Sequence, residues 1–421
     1  MEKLVIEGGQ RLKGTVRISG AKNAALPIMA ASLLTDEACV IRNIPSLKDV
    51  DTMVRILRAL RVRVERRKGS IVISGRCGNV KAPYSLVSTM RASVSVLGPL
   101  LAKYRVAEVS FPGGCVIGPR PIDLHLKGLE SLGAEIQIKS GYIIARASKL
   151  RGKKIYLGGH FGSSVLATAN TMTAATLAEG TTVIENAACE PEVVDLANFL
   201  ISMGAKIEGH STPTIRVKGV RKLHGSNYSI IPDRVETGTY LIAGAVTGGD
   251  LLLRNTKPAH IMAVMDKLRE CGVDIKERKD VIRIKRKPRS RIKPTVVTTL
   301  PYPGFPTDMQ AQMMSLLSTA DGISVITEKI YPERFIHVSE LARMGAHILL
   351  EGPNAIIKGV KNLSGADVMA SDLRASAGLV LAGLAAKGKT SIHRIYHLDR
   401  GYESLDKKLS KVGASIWREK D

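Results

Sequence analysis

The chain is predicted to fold as an α/β protein of two inside-out domains, each made of three repeated units with buried helices and outer sheets. Three observations lead there. First, a helix ending in a small-residue turn and running into a strand recurs as LRALRVRVE (57–65), LESLGAEIQI (129–138), LISMGAKIE (200–208), LRECGVDIK (268–276), LARMGAHILL (341–350) and LSKVGASIW (409–417). Its turn positions, Arg61, Gly133, Gly204, Gly272, Gly345 and Gly413, follow one another at a period of about 70 residues. Second, each repeat is preceded by a run rich in Ala, Ser, Met and Gly, such as AKNAALPIMAASLL or LRASAGLVLAGLAAKG. Such a run is apolar nearly all round and belongs inside, packed closely on other helices. Third, a β-branched strand follows each run: CVIRN, EVSFP, TTVIEN, LLLRN, ISVITE and TSIHR.

The elements follow from these patterns. Inner helices with small side chains need companions, so three units close around their buried helices into one globule and six give two. The break is expected near 227–232 (NYSIIP), and a cleft between the globules is the expected ligand site. The second helix of each unit, as in VDTMVRILRAL, is amphipathic and belongs on a surface. Arg61 stands where a glycine is expected to end a helix.

Composition narrows the function class. A chain of 421 residues with 44% hydrophobic content can bury a large core. The most apolar stretch, Ala375 to Ala386, is too short to span a bilayer. The opening MEKLVIEGG reads as a strand rather than a signal peptide. Five scattered cysteines without a CxxC pair argue against disulfides and zinc, and for a reducing, cytoplasmic setting. A net charge of +24 implies anionic partners. Much of that excess lies in Arg278 to Lys293, where nine basic residues meet one acid but no aromatic offers a base a surface to stack on. Nucleic acid is therefore not the expected partner.

Two sets of residues carry chemistry. In FPGGCVIGPRPIDL (111–124), Cys115 lies in a Gly- and Pro-rich loop with Arg120 nearby, an arrangement that favours a thiolate. Four residues separate Cys115 from Arg120, whereas phosphatases with a thiolate nucleophile place five there. Cations also begin several inner helices, although the positive helix end disfavours them: Lys22, Arg91, Arg234 and Arg374. The linking loops add Arg120, Arg334 and Arg400. The pattern fits anions bound at helix N-termini, with pairing to Asp233, Glu333, Asp372 and Asp399 as the alternative. In GFPTDMQAQ, Thr307 and Gln310 can form a capping box that puts Asp308 in a first helical turn. Asp308 is then either a helix-stabilising acid or a catalytic carboxylate facing the cations. His125, His337 and His397 have no metal-like spacing and read as structural. The chemistry implied is transfer or elimination on an anionic small substrate.

The segments SGAKNAALP, MRAS, PGGCVIGPRPIDLHL, IENAACEPEVVDLANFL, IPDRVETGTY, FPTDMQAQ, MGAHI, DLRASA and HLDRGYE resemble the UDP-N-acetylglucosamine 1-carboxyvinyltransferase family, the MurA enolpyruvyl transferases. The resemblance covers essentially the whole chain. It implies the enolpyruvyl transferase fold, with 1–19 plus 231–421 forming one domain and 20–230 the other. It also implies transfer of the enolpyruvyl group of phosphoenolpyruvate to the 3′-hydroxyl of UDP-N-acetylglucosamine, without metal or cofactor. Carried onto this chain, Cys115 protonates the methylene carbon and Asp308 takes the sugar proton. Lys22, Arg120 and Arg400 hold the phosphate, and Arg334 and Arg374 the carboxylate. Asn23, Arg91, Arg120, Pro121, Ile122, Asp123, Leu124, Gly162, Ser163, Ser164, Val165, Asp308 and Ile330 contact the sugar nucleotide, and Asp372 joins the binding set. The Cys115 loop acts as a lid and is the site fosfomycin alkylates. Leu166 replaces a glycine usual in the family, which puts its neighbouring nucleotide contacts in question. The alternatives are 3-phosphoshikimate 1-carboxyvinyltransferase, which lacks the cysteine loop, and an inactive paralogue binding acidic partners. The sequence sets no oligomeric state.

Overall fold

The computed structural model describes residues 2–113, 121–159, 162–287 and 290–420. The described residues form two compact units, one of 2–19 with 232–420 and one of 20–113 with 121–231. Among them are six four-stranded sheets and one two-stranded ribbon, three of those sheets in each unit. One repeat shows the pattern, which three of the six complete with a strand from elsewhere in the chain. Strand Val296–Thr298 leads to the inner helix Gln310–Leu317, which returns through Ile323–Thr327, parallel to the first strand. The surface helix Val338–Arg343 then feeds an antiparallel pair, His347–Glu351 and Asn354–Lys358.

The inner helices are Lys22–Ala31, Leu97–Tyr104 and Val165–Ala175 in one unit. Arg234–Val246, Gln310–Leu317 and Leu373–Ala385 are their counterparts in the other. In Lys22–Ala31 every residue but Asn23 is buried, and all of Gln310–Leu317 is buried. The predicted α/β architecture of buried helices and outer sheets is thus the one observed. Small side chains are needed because the helices nearly touch. A Cβ on Gly98 would lie 2.5 Å from the Asn170 carbonyl oxygen.

Two features join the ends of the chain. Strand Glu2–Glu7 inserts between Lys389–His393 and Ser415–Lys420, antiparallel to both, and so completes the last sheet. Where the chain leaves the first unit, the Ser19 amide donates to Glu236 Oε2 at 2.7 Å and the Asp233 amide donates to the Ser19 carbonyl at 2.9 Å. Lys408 donates to both Ser19 Oγ and Glu236 Oε1.

The repeated turn is a left-handed helix end. Gly133, Gly204, Gly272, Gly345 and Gly413 have φ between +85° and +100°, and Arg61 adopts +60° in the same place. A non-glycine residue there costs about 1–2 kcal/mol. Arg105, at +63°, is a second such case.

Gly98→Ala should lower stability by about 1–3 kcal/mol, because one helix must move off another to admit the methyl group. Arg61→Gly should instead raise the denaturation midpoint. Urea titrations of the two variants beside the parent check both signs.

Candidate active site

In the first unit the site grows from two helix starts and one strand end. Asp308 lies in the 3-10 turn Thr307–Met309 that leads into Gln310–Leu317. Arg374 is the second residue of Leu373–Ala385, held there by Asp372, whose Oδ1 accepts from the Arg374 and Ala375 amides at 2.7 and 3.1 Å. Arg334 comes from the loop after Ile323–Thr327. The three converge: Arg334 Nη1 reaches Asp308 Oδ1 at 3.1 Å and Arg374 Nη2 reaches Asp308 Oδ2 at 3.0 Å. The guanidiniums are 7% and 4% exposed and the carboxylate 29%, so the anion faces outward between two buried cations.

Burial pushes the Asp308 carboxyl up, but the Arg374 and Arg334 charges and hydrogen bonds outweigh it and hold it well below the usual carboxylate range. Burial lowers Arg374, yet the Asp308 charge carries it above the ordinary arginine value. Tyr402 Oη accepts from Arg374 at 3.4 Å and from Gln312 Nε2 at 3.2 Å, and it pairs with Thr239 Oγ1 at 2.9 Å.

The expected capping box is not formed. Thr307 Oγ1 caps nothing. It donates to Glu328 Oε2 at 2.9 Å and accepts from Arg334 Nη1 at 2.9 Å. Gln310 donates instead to the Arg334 carbonyl at 3.3 Å. Glu328, fully buried at the end of the strand, also accepts from Thr299 Oγ1 at 2.7 Å. The Ile330 and Tyr331 amides donate to the same carboxylate at 2.9 and 3.0 Å. It therefore orders the turn that carries Ile330. Sequence reasoning missed Glu328; the only signal was a lone acid closing a β-branched strand. Tyr402, also missed, stood two residues from Arg400 in HLDRGYE.

Arg400 ends the 3-10 segment Ile395–Arg400. That segment is anchored from behind by Arg418, which donates to both Asp399 oxygens at 2.7 and 3.2 Å. Arg418 also reaches Asp406 at 3.2 Å.

In the second unit Lys22 is buried at the first position of its helix and bonds Asp49 at 2.9 Å, with Asn23 beside it and half-buried. Lys22 thus pairs with Asp49 and Arg374 with Asp308, neither of them among the acids proposed from sequence as surface counter-charges. Arg91 begins the 3-10 segment Arg91–Val96 and donates to the Pro121 carbonyl at 2.9 Å. Ile122 is buried and Asp123 opens helix Asp123–Ser131. Leu124 approaches Gly159 of the ribbon that also contains Gly162 and Ser163. Ser164 caps the helix Val165–Ala175, its Oγ accepting from the Ala167 amide at 3.4 Å. Leu166 is an ordinary helical residue here, packed against the core, so no glycine conformation is demanded of it. Cys115 and Arg120 lie outside the described residues.

His125 is buried with Nδ1 2.9 Å from Asn170 Nδ2, a structural contact. His337 is buried beside Arg334 and Asp372. Burial, only partly offset by the Asp372 charge and reinforced by Arg334, brings it down to about 4.

Two outcomes follow. His337 binds its proton less readily folded than unfolded, so stability is full above the ordinary histidine pKa near 6.5 and falls as pH drops from there towards about 4. His337→Gln should lose less stability than the parent between pH 7 and pH 4.5 in paired denaturant titrations. Asp308→Asn leaves Arg374 buried without a counter-ion and should cost about 2–4 kcal/mol at pH 7. The depressed Asp308 pKa makes that difference persist to pH 4 and fade only in stronger acid.

A family model described as EPSP synthase (3-phosphoshikimate 1-carboxyvinyltransferase) matches residues 6–409. The chain is 53% identical over 418 residues to a UDP-N-acetylglucosamine 1-carboxyvinyltransferase of Methylacidiphilum infernorum, covering 99% of each. It is 54% identical over 419 residues to the protein of that name in Nitratidesulfovibrio vulgaris, covering 100% of each. Among solved structures, the enolpyruvyl transferase NikO from Streptomyces tendae superposes with a TM-score of 0.89 at 24% identity, over 99% of this chain and 98% of that one. An EPSP synthase from Acinetobacter baumannii superposes with 0.78 at 18% identity, over the whole of both chains. These likenesses fix the fold, while the identity of more than half along the full length fixes the group: the chain belongs to the UDP-N-acetylglucosamine 1-carboxyvinyltransferase family.

Proposed function

We propose that the protein transfers the enolpyruvyl group of phosphoenolpyruvate to the 3′-hydroxyl of UDP-N-acetylglucosamine, releasing phosphate, as the first committed step of peptidoglycan synthesis. The observation that carries this reading is the identity of more than half, end to end, with relatives named for that reaction. The same relatives disfavour shikimate phosphate as acceptor, since the solved EPSP synthases are only 18% identical.

The chemistry needs a proton delivered to the methylene carbon, a proton taken from the sugar hydroxyl, and cations to hold a phosphate and a carboxylate. Cys115 is assigned the first role. The other four cysteines support this by elimination, because burial raises the thiols of Cys39, Cys77, Cys189 and Cys271, the last to about 12. Asp308 is assigned the second role. Held between two guanidiniums it is ionised but a weak base. An incoming carboxylate would draw Arg334 and Arg374 to itself, and Asp308, losing those bonds, would gain basicity as the sugar hydroxyl arrives. The hydroxyl oxygen then bonds to C2 while C3 takes a proton. In the second half, C3 returns a proton and the bond to phosphate breaks, restoring the double bond. Lys22, Arg120 and Arg400 hold the phosphate, and the two arginines stabilise the tetrahedral intermediate. Asn23, Arg91, Pro121 to Leu124, Gly162 to Val165, Ile330 and Asp372 form the sugar-nucleotide set. The lid role of the Cys115 loop belongs to the same reading. No metal or cofactor enters the scheme, and a cytoplasmic location goes with its substrates. Among the described residues no helix is long and apolar enough to cross a membrane.

A phosphate-release assay that requires both substrates tests the proposal. Turnover should vanish in Cys115→Ala and fall at least about a thousandfold in Asp308→Ala. Release with 3-phosphoshikimate but not with UDP-N-acetylglucosamine would reverse the acceptor. Intact mass after fosfomycin should gain one adduct, absent from Cys115→Ala.

A further inference from the structure

Away from the residues assigned to substrates, the second unit contains a cavity of about 580 Å³ at the C-terminal ends of its three inner helices. It is lined by Leu34 to Glu37 after the first, Ala102, Lys103 and Arg105 at the end of the second, Leu177 to Gly180 after the third, and the segment Gly219 to Leu223. Lys22, Arg91 and Ser164 sit at the opposite, N-terminal ends of the same chain segments. A helix of ten residues separates the two ends by about 15 Å.

Three observations single out Arg105. Its backbone is left-handed, with φ at +63°. In four of the other five repeats the matching turn, just before the strand that follows the inner helix, uses a glycine at positive φ: Gly180, Gly248, Gly322 and Gly388. Its Nη1 is buried without a hydrogen-bond partner. The acids around it are already engaged: Asp36 with Lys103, Glu37 with the Gly225 amide at 2.9 Å, and Glu179 with Lys149 at 3.2 Å. Lys103 and Lys149 neutralise Asp36 and Glu179, and only Glu37 is left to set against Arg105, Arg221 and Lys222, so the lining is net positive. An arginine that serves only to cap a helix looks different. In the first unit Arg286 donates Nε to the Ala245 carbonyl at 2.6 Å and Nη2 to that of Val246 at 3.4 Å. Arg105 makes no such bond. Arg105 combines a strained backbone, a nitrogen closed off without a partner and a place in the lining of a cavity of metabolite size, and a ligand towards which the guanidinium turns would supply the missing acceptor.

We propose that this cavity is a second ligand site, taking a small, multiply charged oxyanion whose phosphate or carboxylate group is read by the Arg105 guanidinium, with Arg221 and Lys222 at the mouth. A planar guanidinium matches both groups, which can come from a phosphorylated metabolite or a polycarboxylate.

Calorimetric titration of the full-length protein with inorganic pyrophosphate, and separately with citrate, tests it. The parent should bind at least one of them at a site that is weakened by at least about tenfold in Arg105→Gly. Because glycine accepts the left-handed turn, the same variant should melt at a higher temperature than the parent, which separates loss of binding from loss of fold. Any heat surviving in Arg105→Gly reports the substrate residues, so the difference between the two proteins is the reading. Arg221→Ala with Lys222→Ala should weaken the same site. Binding of pyrophosphate alone assigns a phosphorylated ligand and of citrate alone a polycarboxylate. Identical titrations of parent and Arg105→Gly, or binding of neither anion, would overturn the proposal.

Discussion

A helix that is apolar on every side can be stable in water only if other elements cover all of it. The six inner helices of this chain meet that demand by packing on one another in threes beneath their sheets. Their small side chains are the geometric condition for doing so, as the approach of Gly98 to Asn170 illustrates. The same demand explains the connectivity. A sheet short of one strand would leave a helix face wet, so Glu2–Glu7 returns from the start of the chain to complete the last sheet. Likewise Lys13–Arg17 pairs with Asp250–Arg254, and Asn227–Ser229 with Cys39–Arg42, each strand completing a sheet of its own unit although it precedes a helix of the other.

Burying helices in parallel sets has an electrostatic consequence. Their N-terminal ends bring partial positive charge together, and buried cations at those ends are doubly unfavourable. Lys22 and Arg374 are nonetheless buried there, and they persist because Asp49 and Asp308 neutralise them. Such carboxylates are placeholders in a physical sense. An anion that took over such a cation would keep it paired, and a carboxylate released in the exchange becomes a better base, at less cost for Asp308, which is 29% exposed, than for the buried Asp49. Tight internal pairing in the resting protein and anion binding by the same cations are therefore compatible.

Much of this was legible in the sequence because it depends on local, repeated constraints. The left-handed helix end requires glycine at one position per repeat, and five glycines with Arg61 as the exception were enough to count the units. The cations at helix starts were visible for the same reason. What could not be read was pairing across repeats. Thr307 has the right neighbours for a capping box, yet Glu328, about twenty residues away, accepts its hydroxyl, because a buried carboxylate needs every donor it can reach. No local rule distinguishes these outcomes. The backbone part of the concern over Leu166 falls away for a similar reason, since a family glycine implies a special backbone only if the local turn demands one, and here that residue continues a helix.

The net charge of +24 invites a surface reading, but in its densest segment three of the nine cations are structurally employed. Arg283 holds both Asp250 oxygens at 2.9 Å, Arg286 covers the end of a buried helix, and Arg291 pairs with Asp321 at 2.6 Å. A nucleic acid would have to displace these partners and would find no aromatic platform in return. Charge that is locked into helix ends and sheet edges adds little to binding, so the cations that count are those whose partners can leave or who have none. By that criterion the cations that count include, among the described residues, the pair on Asp308, the lysine on Asp49, and Arg105 with its unsatisfied nitrogen beside Arg221 and Lys222.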